Sequence, residues 1–431
     1  MKARYLAAAC VVAALAVIGS TASAQSIGGT TAAATKIRVW LQTDAQANWP
    51  EIVAAANAAF KSKHPGVEVS IEYQTWGNHL TKFDASLAGG DAPDVIELGN
   101  TETTKYMAAG AFTALAAKKY PNYKTWLRGL ADSCRFKGKT FCVPYYAGAR
   151  AVIYRKDLYR QAGIKGTPTS LNAFVADGKK LMKKHAGDEN FSALYFPGKY
   201  WYGAMSFVYD YGGRIATFKG GKWHGALNSA KAVQALTKLK SVVNALSRAS
   251  KTTDEATPQQ ALVFAKGHVG AFIGNGWEWP YALDPKVGNP SLANDMGAYP
   301  MPSHVKGRYM PTFLGGSNLG IPISSHNVQL AADWIKAFTS TKSERQLATV
   351  GKVIPNTTTL ANINKSNPQL SPFAKAAKYS WFVPTSPNWV NVENANVLQN
   401  MLVSIFTGRS SVKSAATRAS SQISNILNTA G

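Results

Sequence analysis

From residue 36 to 41, apolar Ile37, Val39 and Leu41 alternate with Arg38 and Trp40, the period-two pattern of a strand whose second set faces outward. Pro50 then suits a first helical turn, Ile52, Val53, Ala56 and Phe60 recur at helical spacing, and His64-Pro65-Gly66 stops the run. Alternation returns over 67–73. A helical stretch to Leu87 follows, then a break at Gly89-Gly90-Asp91-Ala92-Pro93 and a short apolar strand over 94–98. Such a βαβαβ run predicts a mainly parallel sheet with helices on its faces, whose ligands bind beyond the carboxyl ends of the strands. The loops after Leu41, Tyr73 and Leu98 are therefore the places to look. Further on, 154–298 is richer in helix and aromatics, one helix is expected over 331–350, and the last helices over 397–427.

Length adds that one core is not enough. At 431 residues with 46% apolar content, the chain exceeds the ~250 residues at which single cores stop growing, so two lobes are expected. No Pro- or Ser-rich linker separates them, which points to several crossing strands. Residues 1–24 run from Lys2 and Arg4 through an apolar stretch to Ala22-Ser23-Ala24, the layout of a secretory signal peptide cut after Ala24. That stretch is shorter than the roughly 20 residues a membrane span needs, so the protein is not expected to span one. Cys10 lies too early in it to favour a lipid anchor. Cys134 and Cys142 flank a segment in which Gly138 can turn a hairpin, and export favours their disulfide over two unpaired thiols.

Formal charge is +24. The basic residues are spread along the chain and read as a solvated face, and no aromatic RNA-reading motif accompanies them, so no nucleic acid is expected. The charge leaves room for an acidic ligand.

The stretch Ala92-Pro93-Asp94-Val95-Ile96-Glu97-Leu98-Gly99-Asn100-Thr101, followed by Ala109-Gly110-Ala111-Phe112, resembles the first-lobe signature of family 1 extracellular solute-binding proteins, the sugar receptors of ABC importers. Val143-Pro144-Tyr145-Tyr146-Ala147-Gly148 leading into Tyr154-Arg155-Lys156-Asp157-Leu158 is similar to that family's crossover strand, with Arg155 where Asn is usual. Thr167 to Ser170, Gly274 to Glu278, Phe313 to Pro322 and Ile354-Pro355 fall in family order, so the likeness covers 36–431. It implies an α/β, two-lobed type II periplasmic-binding-protein fold whose discontinuous lobes are joined by a hinge. By this analogy 36–149 with 313–365 form the first lobe and 150–312 with 366–431 the second. It also implies a monomeric periplasmic receptor that closes on a carbohydrate, delivers it to the importer's membrane subunits, and uses no cofactor or metal.

Sugars need aromatic plates for their C–H faces and carboxylates or amides for their hydroxyls. Sheet topology brings Gln42, Asp44, Trp76, Asn100, Thr101 and Glu102 to one rim. The alternatives are a helix cap for Asp44, helix packing for Trp76 and a solvated helix start for Glu102. From the resemblance, Tyr202, beside Trp201, and Trp277 are stacking residues on the opposite lobe, Trp277 being displayed by its Gly-rich turn. Glu278 could accept hydroxyl bonds or lie on the surface. Tyr146 and Trp389 are candidate walls, and Ser317 and Asn318 sit at a glycine-rich crossing that faces the cleft or serves the hinge. At least four plates imply an oligosaccharide.

An exported glycoside hydrolase would share these features. Gly315 to Leu319, however, lacks the last glycine of a nucleophile elbow, Ser133 stands where a phosphate loop needs its first glycine, and the seven histidines show no metal-protease spacing, so no enzyme is expected. A non-sugar solute is the other rival, with Tyr145-Tyr146 a faint echo of iron carriers.

Overall fold

In the computed structural model, residues 35–429 are described. The expected signal peptide and Cys10 lie outside them. The main sheet has six strands in the order Ile354–Pro355, Cys142–Gly148, Gly315–Gly320, Val95–Gly99, Lys36–Gln42, Glu68–Gln74. Lys36–Gln42 runs parallel to both Glu68–Gln74 and Val95–Gly99. Gly315–Gly320 runs antiparallel to Val95–Gly99 and to Cys142–Gly148. A smaller sheet has Ala151–Arg155 flanked antiparallel by Ala271–Gly274 and Met296–Tyr299.

Each sheet has its own core. Ile37, Val39 and Leu41 pack with Ile52, Phe60, Trp334 and Phe338, and the Pro50–Lys63 helix buries the four positions its spacing predicts. The larger core gathers Phe174, Leu194, Phe207, Leu236 and Leu239 with the C-terminal residues Leu398, Leu402 and Ile423. Only Ala149 and Arg150 separate the strand ending at Gly148 from the one starting at Ala151, and Leu314 alone separates Phe313 of the larger core from Gly315 of the main sheet. The chain thus passes from one core to the other through very short connectors.

Three details differ from the expected pattern. Trp40 is not outward: it is buried with Phe83, Ile96 and Tyr106 on the second face of the sheet, because a parallel sheet is covered on both sides. The expected helix over 331–350 is two, Val328–Phe338 and Thr341–Thr349, because Ser340 accepts the Ser343 N–H at 3.2 Å and starts a new helix. The expected strand over 67–73 begins one residue later, at Glu68. The Cys134–Cys142 disulfide is present across a hairpin whose turn residues Lys137 and Gly138 both take positive φ, 45° and 77°.

Candidate functional site

The first wall of the site is made by the ends of the parallel strands. Asp44 follows Lys36–Gln42, Trp76 follows Glu68–Gln74, and Asn100, Thr101 and Glu102 follow Val95–Gly99. The Trp76 indole donates to the Asp44 carboxylate at 2.5 Å and stands edge-on to His79, leaving Trp76 41% exposed. Glu102 bonds His79 Nε2 at 2.9 Å and accepts the Gly99 N–H at 2.8 Å. Burial works against a charge on His79, and the Glu102 carboxylate more than offsets it, so the imidazole sits above its usual value. Burial also raises Asp44, against the pull of the Trp76 bond. Beneath this wall Glu97 is fully buried and pushed up to about 7 by desolvation, although the Gln42 N–H bonds it. Asn100 is buried and donates to the Leu314 carbonyl at 3.0 Å, tying the strand end to a connector between the cores.

The second wall is denser. Tyr202 stacks on Trp201 at 4.0 Å between ring centroids and on Phe313 at 5.0 Å. The Arg150 guanidinium lies 4.3 Å from the Tyr202 ring, a cation–π arrangement. Trp277 meets Tyr146 edge-on at 6.2 Å and packs against the first core. It is half-buried rather than displayed, because Gly148 leaves space where any Cβ would overlap the indole. Glu278 is buried, not superficial: it accepts the Asn275 N–H at 2.6 Å and Gln260 Nε2 at 2.8 Å, and burial raises its pKa.

Between the walls lies a cleft of about 380 Å³. Ten of the expected residues line it: Asp44, Trp76, Asn100, Thr101, Glu102, Tyr146, Tyr202, Trp277, Glu278 and Ser317. It shares Trp76, Thr101, Glu102 and Tyr202 with an adjoining hollow of about 480 Å³, which reaches Trp201. Three candidates lie elsewhere, the first being Gln42, buried beneath the first wall against Glu97. Trp389 is 1% exposed, facing the larger core from the start of its helix and backing Trp201 at 6.1 Å. Asn318 is fully buried in the main sheet, where its amide donates to Ser133 Oγ at 2.9 Å, and a register shift separates it from Ser317.

Sequence reasoning missed Arg150, Glu255, Gln259 and Asn275 in the cleft and Glu393 in the hollow. Arg150 alone left a trace, as the one charged residue between Val143 and Ile153. Burial pushes Glu255 up to about 7 despite the attraction of Arg150. Burial and then Glu102 push Glu393 up to about 8, where it accepts a bond from Thr101 Oγ1 at 3.4 Å. No helix among the described residues is long and apolar enough to cross a membrane.

Known proteins are similar to this chain in sequence or in fold. The diacetylchitobiose-binding protein DasA of Streptomyces coelicolor is 33% identical over 393 residues, covering 91% of this chain and 89% of that protein. A solute-binding protein of an ABC transporter from Thermotoga lettingae, solved with α-D-tagatose, superposes with a TM-score of 0.78 at 18% identity over 91% of this chain and all of the other. The GacH receptor of Streptomyces glaucescens, solved unliganded and with acarbose, gives 0.77 at 20% identity over 92% of this chain and all of that one. These likenesses bear out the two-lobed α/β fold. Residues 40–345 match the bacterial extracellular solute-binding proteins, and with a relative this similar over nearly its full length the chain belongs to that family.

Proposed function

We propose that the protein is an exported, monomeric receptor that closes its cleft on an oligosaccharide and hands it to the membrane subunits of an ABC importer, catalysing nothing. The observation that carries this is the convergence of Trp76, Tyr202 and Trp277 on one cleft between two cores, with carboxylates and amides between the plates. Ring faces stack on Trp76 and Trp277 while hydroxyls meet the polar groups, and Tyr202, its faces covered by Trp201 and Phe313, lines the cleft between them. The adjoining hollow, which shares Trp76 and Tyr202 with the cleft, gives room for more than one ring.

The sugar-binding relatives support the same reading: DasA is a diacetylchitobiose-binding protein, and a neighbour of similar fold is a maltodextrin-binding protein solved with maltotetraose. The lobes are proposed at 36–149 with 313–365 and 150–312 with 366–431. Phe313 in the larger core and Leu319 in the first support a crossing near 313. Removal of 1–24 on export to the periplasm belongs to the proposal, and a mature protein beginning at Gln25 is its mark. Titration calorimetry with oligosaccharides tests the function, and micromolar or tighter binding, ~8 kcal/mol or more, is expected for at least one. Heat with an amino acid or a metal chelate and none with any glycan overturns it. Hydrolysis of a bound glycan on prolonged incubation overturns the non-enzymatic part.

A further inference from the structure

The cleft has the opposite charge from the chain. Formal charge is +24 overall, yet the residues lining the cleft include Asp44, Glu102, Glu255 and Glu278 against Arg150. The Arg150 guanidinium is spread over aromatic faces, 4.3 Å from Tyr202, 5.8 Å from Phe313 and 5.9 Å from Tyr200. Glu102 is satisfied by His79 and the Gly99 N–H, and Glu278 by Gln260 and Asn275. Asp44 has the Trp76 indole, and Glu255 has its own N–H and the longer-range attraction of Arg150. A second observation points the same way. Asn275 lines the cleft at 4% exposure, its Nδ2 faces Glu278, and its Oδ1 has no partner among the described residues. A buried acceptor without a donor is costly, as is a buried carboxylate without a cation.

We propose that the ligand brings a protonated amine to this cleft, as an oligosaccharide containing a free amino sugar, and that the cleft turns acidic sugars away. The proposal rests on the carbohydrate reading above. An ammonium supplies three donors and no acceptor, which suits a cleft lined by the acceptors Asp44, Glu255 and Asn275 Oδ1. Trp76 and Trp277 offer ring faces that stack on a sugar and also attract a cation, which favours an amino sugar over a linear polyamine. The overall basic charge, which left room for an acidic ligand, belongs to the rest of the surface. A protonic signature follows: burial pushes Glu255 up to about 7, so at neutral pH a bound cation displaces protons from it.

The test is calorimetry at neutral pH with the β-1,4 disaccharide of glucosamine, its di-N-acetylated twin, digalacturonate and spermidine. The free-amine disaccharide should bind about tenfold tighter than its acetylated twin, digalacturonate should give no heat, and the enthalpy should vary with the buffer in the sense of proton release. Asp44→Asn and Glu255→Gln, each checked for an intact melting transition, should lower the amine preference about threefold or more. Equal or tighter binding of the acetylated twin, measurable binding of digalacturonate, or an unchanged preference in both variants overturns the amine proposal while leaving a sugar receptor standing. Binding of spermidine with no sugar bound, or no binding of any probe together with failure across neutral oligosaccharides, overturns the sugar reading and the amine proposal with it.

Discussion

The two walls of the cleft are built on different terms. On the first, Trp76 is 41% exposed and held by one bond to Asp44, so it does little for the core. On the second, Tyr202 is sandwiched by Trp201 and Phe313, and Trp277 packs on Tyr146 and over Gly148. The first wall displays its aromatic plate. The second uses the same side chains for packing and for recognition, so stability and affinity should part company at one wall and move together at the other.

Trp277→Ala is the strongest way to break that comparison. Losing a stacking plate should weaken ligand binding about a hundredfold, since ~1.4 kcal/mol is a decade, and the half-filled space over Gly148 should cost ~2–3 kcal/mol of ligand-free stability. Calorimetry and thermal unfolding read the two effects. Lost affinity with an unchanged melting point would make the second wall as independent of the core as the first.

Arg150→Met comes next. It keeps the apolar stem and removes the charge, so Glu255 and Glu278 lose the attraction that lowers them. A loss of ~2 kcal/mol is expected, larger at mildly alkaline than at mildly acidic pH, where Glu255, pushed up to about 7, holds its proton. Equal losses at both would mean the carboxylates do not feel the guanidinium.

A pH series on the ligand-free protein has a smaller effect spread over both walls. Glu97 and Glu255 near 7 and Glu393 near 8 all sit above the ordinary carboxylate value, so between that value and about 8 the native state binds more protons than the unfolded chain. Stability should therefore fall as pH rises through this window and gain nothing further from these groups below it. The raised His79 acts in the same direction, its contribution being lost as pH rises. Calorimetric melting from mildly acidic to mildly alkaline pH checks it, and a melting point that climbs with pH contradicts it.

Trp76→Ala is the mildest. Affinity should drop about tenfold, and the melting point should stay within the scatter expected of a surface change, ~0.5 kcal/mol.

The same division governs what could be read from the sequence. Asp44, Trp76 and Asn100 to Glu102 were legible because a parallel strand delivers its next residues to one edge, a rule that needs only period two and chain order. Arg150, Glu255, Asn275 and Glu393 were not, because they come together through packing between segments up to hundreds of residues apart, on a connector, a loop, a turn and a helix. Trp389 and Asn318 show the converse: composition marks an aromatic or an amide as a good sugar contact, but only the facing of a helix or the register of a strand decides whether it reaches the cleft. Trp40 was misread because alternation identifies a strand without telling a solvent face from a second buried one. The break at Ser340 was hidden by apolar residues, Trp334, Ile335, Phe338 and Leu347, that continue on both sides of it.

The connectors, Ala149-Arg150 and Leu314, set how the two walls act as partners. Two binding surfaces joined by short flexible tethers meet at an effective concentration of ~mM. Here two of the tethers are a residue or two long and lead directly into paired strands, Cys142–Gly148 and Gly315–Gly320, so the second wall already hovers over any ligand resting on the first. The translational freedom that two separate molecules would forfeit on meeting has been given up during folding. A ligand caught by Trp76 therefore experiences Trp277 and Tyr202 as an intramolecular neighbour, and modest contacts on each side multiply into a single tight complex.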